Sequence, residues 1–437
     1  ISGILYSKVW FVWKSSRVNF SFDFGVESFL LSNFSSFDQI SGELHYIGSD
    51  LSNGLFKLVH LNFEGLKDNF SLEDLEILTR DRKGSRVASV FLRSIDFEEL
   101  RKGLDLIHQF KPFSGKLLEI LDSIEVNGSL EDIFFLPGVG YSSPSLVANI
   151  VDADIKSFKG FPEIVGLNGF VSLAPNNGYL DFYNKEFSIE FKNVFSNAWG
   201  FSGGRGRIAY SIEDKNLSVR SGLLELLEGD TRAQGKVSLN INSDNSKNTW
   251  GLSLGVRNAK LEESLKYIPQ SVGDGFRGWL KNASVYGKGN QIGVTVHGAF
   301  GKKLSSVGKS HDVFLDINET SLKFHNEWPR LRSAEGILHA NSYFVNMRNG
   351  LARAYETSFK DLSFNIPVEA PNRVERILVT AKSVGPFADG IRFLNETPLS
   401  SYTKKVGTHW IGVGEIKSRI DLVLPLIDSN SRVQINT

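Results

Sequence analysis

The sequence predicts a mainly β protein built on antiparallel sheet with a few short helices, and two observations carry that prediction. The dominant period of its apolar residues is two. Val18-Asn19-Phe20-Ser21-Phe22-Asp23-Phe24 alternates without a break, as do Phe187-Ser188-Ile189-Glu190-Phe191-Lys192 and Ile292-Gly293-Val294-Thr295-Val296-His297. Alternation gives a strand one apolar and one polar face, whereas strands of a parallel α/β sheet are apolar on both. The second observation is composition. The 437 residues include 33 phenylalanines, and Phe at that density beside many Val, Ile and Leu favours pleated sheet.

Taken in order, the alternating runs read as strands and the polar stretches between them as turns or helices. Ser71 to Arg80 is a helix candidate. Val87 to Leu92 reads as a strand. Asp96 with Glu99 three residues on forms a start resembling a capping box, for a helix reaching His108. Ser114 to Leu121, Leu261 to Tyr267 and Val272 to Asn282 are further helix candidates, the last weakened by its internal glycines. Leu252 to Val256, Ile377 to Ala381 and Ile420 to Leu424 read as strands. Pro175-Asn176-Asn177-Gly178 and Asn349-Gly350 are expected turns.

Two patterns recur. Phe161-Pro162 is followed by Gly169, and Trp328-Pro329 by Gly336, at the same spacing and each ahead of an alternating strand. A second pattern runs strand, short polar helix, proline, then another helix or turn and a strand. It occurs around Pro112, Pro269 and Pro398. Such repetition predicts one supersecondary unit stacked along an axis. The length suggests about three domains, drawn at residues 1–85, 86–250 and 251–437 within one continuous elongated sheet.

The chemistry that can be excluded narrows the function. Lys plus Arg and Asp plus Glu are each 49, so the chain lacks the basic field that nucleic-acid binding requires. Cysteine is absent, which removes disulfides, zinc thiolates and thiol nucleophiles together. The 8 histidines have no metal-ligand spacing, and no G-x-S-x-G elbow is present. Gly203-Gly204-Arg205-Gly206 lacks the spacing of a phosphate loop and reads as a turn or bulge; Gly287-Lys288-Gly289 reads as a loop between helix and strand. Glu98-Glu99 and Glu262-Glu263 fall in helical first turns, where they complement the helix dipole. No enzyme, cofactor or metal is expected. No apolar run is long enough to span a membrane as a helix, and the chain reads as a piece of a longer polypeptide whose targeting and anchoring segments lie elsewhere.

Tyr267-Ile268-Pro269, Trp279-Leu280, Ala283 and Gly287 are followed in order by Trp328-Pro329, Thr397-Pro398-Leu399, Gly407, Gly414 and Leu422-Val423-Leu424-Pro425-Leu426. In that order and spacing they resemble the central region of the YhdP family, AsmA-like proteins of the Gram-negative envelope related to TamB. Lys111-Pro112-Phe113 and Ser129 to Pro137 fit as well. The stretch Gly301-Lys302-Lys303-Leu304 departs from the family, which places a proline among aromatics there.

The resemblance implies a long, twisted sheet curled into an elongated apolar groove. It also implies a periplasmic protein anchored in the inner membrane by an N-terminal helix outside this chain. The implied function is transfer of glycerophospholipid between inner and outer membrane, in support of the outer-membrane barrier. The partners would be phospholipid acyl chains and the two membranes. The expected groove lining is Phe20, Phe22, Phe24, Phe187, Ile189, Phe191, Val294, Val296, Leu315, Ile317, Leu422 and Leu424, with Asn19, Asp23, Glu190, Thr295 and Asp421 facing water. The alternatives are a β-rich structural or adhesive module with a closed core, and a polysaccharide-acting β-helix enzyme, which would need clustered carboxylates on one exposed face.

Overall fold

The computed structural model describes residues 2–14, 16–30, 36–65, 69–82, 85–110, 125–138, 143–158, 161–244, 247–272, 274–283, 285–299, 309–369, 373–374, 376–403, 409–425 and 434–436. The expected helix at Ser114 to Leu121, the prolines' first member Pro112 and the departure at Gly301 to Leu304 lie outside those residues. The chain forms two compact units. The first comprises Ile1–Lys192 and Ala198–Lys215, the second Asn193–Asn197 and Asn216–Thr437.

The first unit opens with six long strands: β1 (Ser2–Lys14), β2 (Arg17–Leu30), β3 (Ser36–Asp50), β4 (Asn53–Gly65), β5 (Phe70–Arg82) and β6 (Ser85–Asp96). Helix α1 (Phe97–Phe110) follows. The sheet resumes with β7 (Val126–Leu136), β8 (Ser145–Ile155) and β9 (Glu163–Leu173). Each of these strands pairs antiparallel with the next. Then β9 pairs with both β10 (Asn177–Asn184) and β11 (Phe187–Glu190). These in turn pair with β13 (Gly203–Glu213) and β12 (Trp199–Phe201).

In the second unit β14 (Asn216–Ser221) and β15 (Leu224–Glu228) both pair with β16 (Thr231–Ile241), which pairs with β17 (Thr249–Lys260). A 3-10 helix (Leu261–Tyr267) and α2 (Asp274–Ala283) interrupt the sheet. It continues antiparallel through β18 (Tyr286–Ala299), β19 (Ser310–Leu322), β20 (Leu331–Asn341), β21 (Phe344–Ala354) and β22 (Thr357–Glu369). Beyond β22 come the short β23 (Arg373–Val374) and β24 (Arg376–Pro386). Helices α3 (Phe387–Glu396) and α4 (Ser400–Thr403) follow, then β25 (Glu415–Pro425) and β26 (Gln434–Asn436). The unit around Pro269 and the one around Pro398 thus share one plan: strand, helix, proline, helix, strand.

The predicted mainly β antiparallel class is the observed one, and helix α1 falls where its capping residues place it. Four local expectations are overturned. Ser71 to Arg80 is strand β5, not helix. Asp74 has φ of +54°, and the irregularity there puts Leu72 opposite Leu61 and Leu75 opposite Leu58. Leucines three apart therefore share a face without a helix. Asn349-Gly350 lies within β21 as a bulge rather than a turn. Asn349 takes φ of +54°, and a Cβ on Gly350 would sit 2.5 Å from the Leu362 carbonyl oxygen. Gly203 to Gly206 belongs to β13, where Gly206 pairs with Phe182. Gly287 to Gly289 belongs to β18, and a φ of +142° at Gly287 marks a bulge close to Thr320.

Bulges recur in register. In β19 to β22 the pairing slips between Ile317 and Thr320, Arg332 and Glu335, Met347 and Gly350, and Lys360 and Ser363. At each slip one residue (Glu319, Ser333, Asn349 or Asp361) has φ between +47° and +54°. In the first unit Asp132 and Asp152 do the same in β7 and β8. Asp and Asn tolerate this conformation best. Each bulge bends its strand and increases the local twist, so adjacent bulges curl the sheet along a line.

Candidate functional site

Cross-strand register assembles the alternating residues into apolar rows that run across the strands. In the first unit Val9, Phe22, Leu44, Leu58, Leu75, Leu92 and Ile133 lie opposite one another on β1 to β7. Beyond the Asp132 bulge the same face continues through Ala148, Val171, Leu180 and Ile208. A parallel row contains Phe11, Phe20, Tyr46, Phe56, Ile77, Val90 and Phe135.

In the second unit one row runs Leu226, Ala233, Val256, Ile292, Leu315, Leu338, Met347, Phe364, Val379 and Leu422. At the usual interstrand spacing it extends about 40 Å. Beside it lies Leu254, Val294, Val313, Ala340, Val345 and Ile366. Neither row contains a charged residue.

The opposite face holds most of the polar and charged side chains, together with exposed apolar ones such as Ile47, Leu78, Phe314 and Ile337. It carries Asn19, Ser21 and Asp23 in β2, and Thr295 and His297 in β18. Arg207 forks onto Asp181 with both bonds at 2.6 Å. Lys57 lies 3.5 Å from both Asp74 and Glu76, and Arg419 lies 3.2 Å from Asp421. His339 lies 3.0 Å from both oxygens of Asp312, beside Asn346 and Arg348 in a shallow cleft. Among the described residues no group of three or more His, Asp or Glu side chains could hold a metal ion.

The expected lining residues occupy different surroundings. Phe20, Phe22, Phe24, Val294, Val296 and Leu315 lie half-buried on the apolar face. Ile189 and Phe191 are also half-buried, with the Phe191 ring 5.6 Å from that of Trp199. Phe187 is buried between Phe182 and Phe201. Ile317 and Leu422 are buried as well. Leu424 pairs with Ile377 through the backbone. Most members of the rows, such as Leu44, Leu58, Leu75, Leu254 and Leu338, were not singled out by alternation. The signal that finds them is pairing register, which no single strand contains.

The helices pack on the apolar face. Phe97 and Leu100 of α1 lie against Leu92, Ile95, Leu130, Ile133 and Ala148. Glu99 accepts a hydrogen bond from the Ser71 N–H at 3.1 Å, and Gly103 lets the helix approach the Phe70 ring. In the second unit Leu261 packs with Ile317, Ala334 and Ala352. Glu228 at the end of β15 accepts from both Lys266 Nζ and Tyr267 Oη. Burial, reinforced by that hydrogen bond, pushes the Tyr267 phenol up to about 12. Hydrogen bonds to Glu228 and Glu263 outweigh desolvation and raise Lys266 well above the usual lysine value.

Helix α3 is held from within. The buried Asp389 accepts from the Glu356 N–H at 2.8 Å and the Thr357 hydroxyl at 3.0 Å. Phe393 meets Tyr355 and Phe359 edge-on.

Among the described residues the members of the apolar rows are buried or half-buried, except Val9 and Phe11 of β1, each 60% exposed. An antiparallel sheet with apolar rows running across its strands on one face and most of its charged side chains on the other defines the class: a β protein with a long apolar face. The chain belongs to the YhdP family, whose model, described as YhdP protein, matches residues 3–436. No curated protein and no solved structure matches it. No helix among the described residues is long and apolar enough to cross a membrane.

Proposed function

We propose that this chain is a segment of a periplasmic bridge that moves glycerophospholipid between the inner and outer membranes, with acyl chains sliding along the apolar face. The observation that carries the reading is the charge-free apolar rows, most of their members half-buried, running across successive strands. Burying a methylene is worth about 0.8 kcal/mol, so drawing two acyl chains through water costs on the order of 20 kcal/mol. A continuous apolar surface lowers that barrier without chemistry. It needs no tight pocket, because strong binding at one point would halt sliding. The polar face, with its ion pairs, would meet the aqueous periplasm, and membrane contacts would belong to parts of the protein outside this chain.

The test is photocrosslinking in cells from the complete protein, with the photoreactive residue at Phe22 on the apolar face or at Ser21 on the polar face. The reading expects phospholipid adducts from Phe22 and none above background from Ser21. Equal capture from both, or none from Phe22, overturns it.

A further inference from the structure

In the second unit burial changes along the strands as well as between faces. At the ends of β19, β20 and β21 near the 3-10 helix, Ile317, Ala334 and Ala352 are buried, at 6%, 5% and 3% exposure. Toward the other ends of those strands, Val313, Ala340 and Val345 are only half-buried. The same holds for Leu254 and Val294 in the neighbouring strands, and Trp250 is 36% exposed.

Helices packed at the first margin account for the difference. The Leu261 side chain sits on the cluster at the first margin. Its helix is tied down by Lys266 and Tyr267 to Glu228. Helix α2 is fixed beside it, where Arg277 donates to the Ile268 carbonyl at 2.6 Å and Trp279 to the Phe324 carbonyl at 2.8 Å. Strand β24 runs in the same direction as β17, since five antiparallel strands separate them in the pairing order, and so α3 leaves the sheet at the same margin. There Phe393 covers Phe359, and Asp389 locks the helix to the turn at Glu356 and Thr357. Small residues make room beneath: Ala334 and Ala352 pack with Leu261, and Ala354, two residues on in the same strand as Ala352, is fully buried.

We infer that the helices are fixed straps that seal one margin of the apolar face, and that acyl chains contact only the unstrapped margin, along Leu252, Leu254, Val294 and Val296. This rests on the lipid-transfer reading and deepens it by assigning which half of the face is the path. It also assigns Leu315 and Ile317 to the wall under the strap. An acyl chain passing over the strapped half would have to dislodge Leu261 from its packing and break the charged anchors that hold it, whereas the other half is already open.

The test places a photoreactive residue in the complete protein at Leu252, Val296, Leu315 or the polar-face Ser253. Lipid capture severalfold above Ser253 is expected at Leu252 and Val296, with Leu315 at the Ser253 level. Capture at Leu315 equal to that at Leu252 overturns the partition while leaving lipid transfer standing. Silence at all three apolar positions overturns both. A second arm guards against a misfolded probe at Leu315: adding Leu261→Ala should raise capture there severalfold. If capture at Leu315 does not rise in a protein that keeps its protease resistance, the strap is not what shields it and the inference fails.

Discussion

Replacing Val296 by aspartate separates transport from folding. Val296 is half-buried in β18, opposite Leu252 on one side and His311 on the other. Half the burial of a valine is worth about 1 kcal/mol. The new carboxylate keeps access to water and to the exposed His311, so the total loss of stability should be about 1–2 kcal/mol. Its effect on a passing acyl chain is larger. A hydrated charge holds the chain off its own strand and part of each neighbour, denying it contact for about four methylenes, or about 3 kcal/mol. At 1.4 kcal/mol per decade that slows passage about a hundredfold.

The assay follows pulse-labelled glycerophospholipid into the outer membrane of cells that depend on the complete protein. Ser253→Asp, one strand away on the polar face and opposite Lys236, is the matched control and should deliver lipid at the normal rate. Normal delivery by Val296→Asp would refute the reasoning, because the row would then not touch the cargo. Equal impairment by Ser253→Asp would refute it too, since the effect would not follow the face.

Asp389→Ala strands the Glu356 N–H and the Thr357 hydroxyl in a buried site and should destabilise the second unit by about 3 kcal/mol in denaturant titration, with Asp389→Asn recovering most of the loss. Gly128→Ala meets both a φ of +100° and the Asp152 carbonyl oxygen 2.6 Å from the new Cβ. A loss of about 2–4 kcal/mol is expected for the first unit, seen as a lower melting temperature. The Tyr267 phenol is raised in the folded chain to about 12 from an ordinary 10.0, so the folded state favours the neutral phenol. Its stabilising contribution is complete below pH 10 and is lost as pH rises through 12. Chemical denaturation across that range should show the second unit weakening, with a smaller slope in Tyr267→Phe.

The strand class, the polar and apolar faces and the three helix sites were legible because each is a local pattern. Phe20, Phe22 and Phe24 share a face by parity alone, and Asp96 with Glu99 marks a helix start within four residues. What was illegible depends on partners far away in sequence. Leu72 and Leu75 look helical until Asp74 takes a positive φ, and that choice is imposed by β4 and β6. Asn349-Gly350 has turn chemistry, yet between β20 and β22 the same backbone freedom makes a bulge. Phe187 and Val296 carry the same alternation signal. Their difference in burial comes from their neighbours: the Phe182 and Phe201 rings beside Phe187, and Leu252 and the exposed His311 opposite Val296.

The line of bulges in β19 to β22 has a consequence for how this sheet tolerates change in its gene. Side chains alternate with a period of two, so an extra residue in a strand reverses the phase of everything beyond it. Here the sequence resets its own phase at Glu319, Ser333, Asn349 and Asp361, and the apolar side stays apolar on both sides of the bend. Curvature and phase therefore reside in four surface-type residues, and the greasy positions are free to exchange leucine for valine or phenylalanine. Losing any one of the four by deletion would be worse than any such exchange. The strand beyond it would turn its apolar side chains outward and its charged ones inward, while its neighbours kept the old phase.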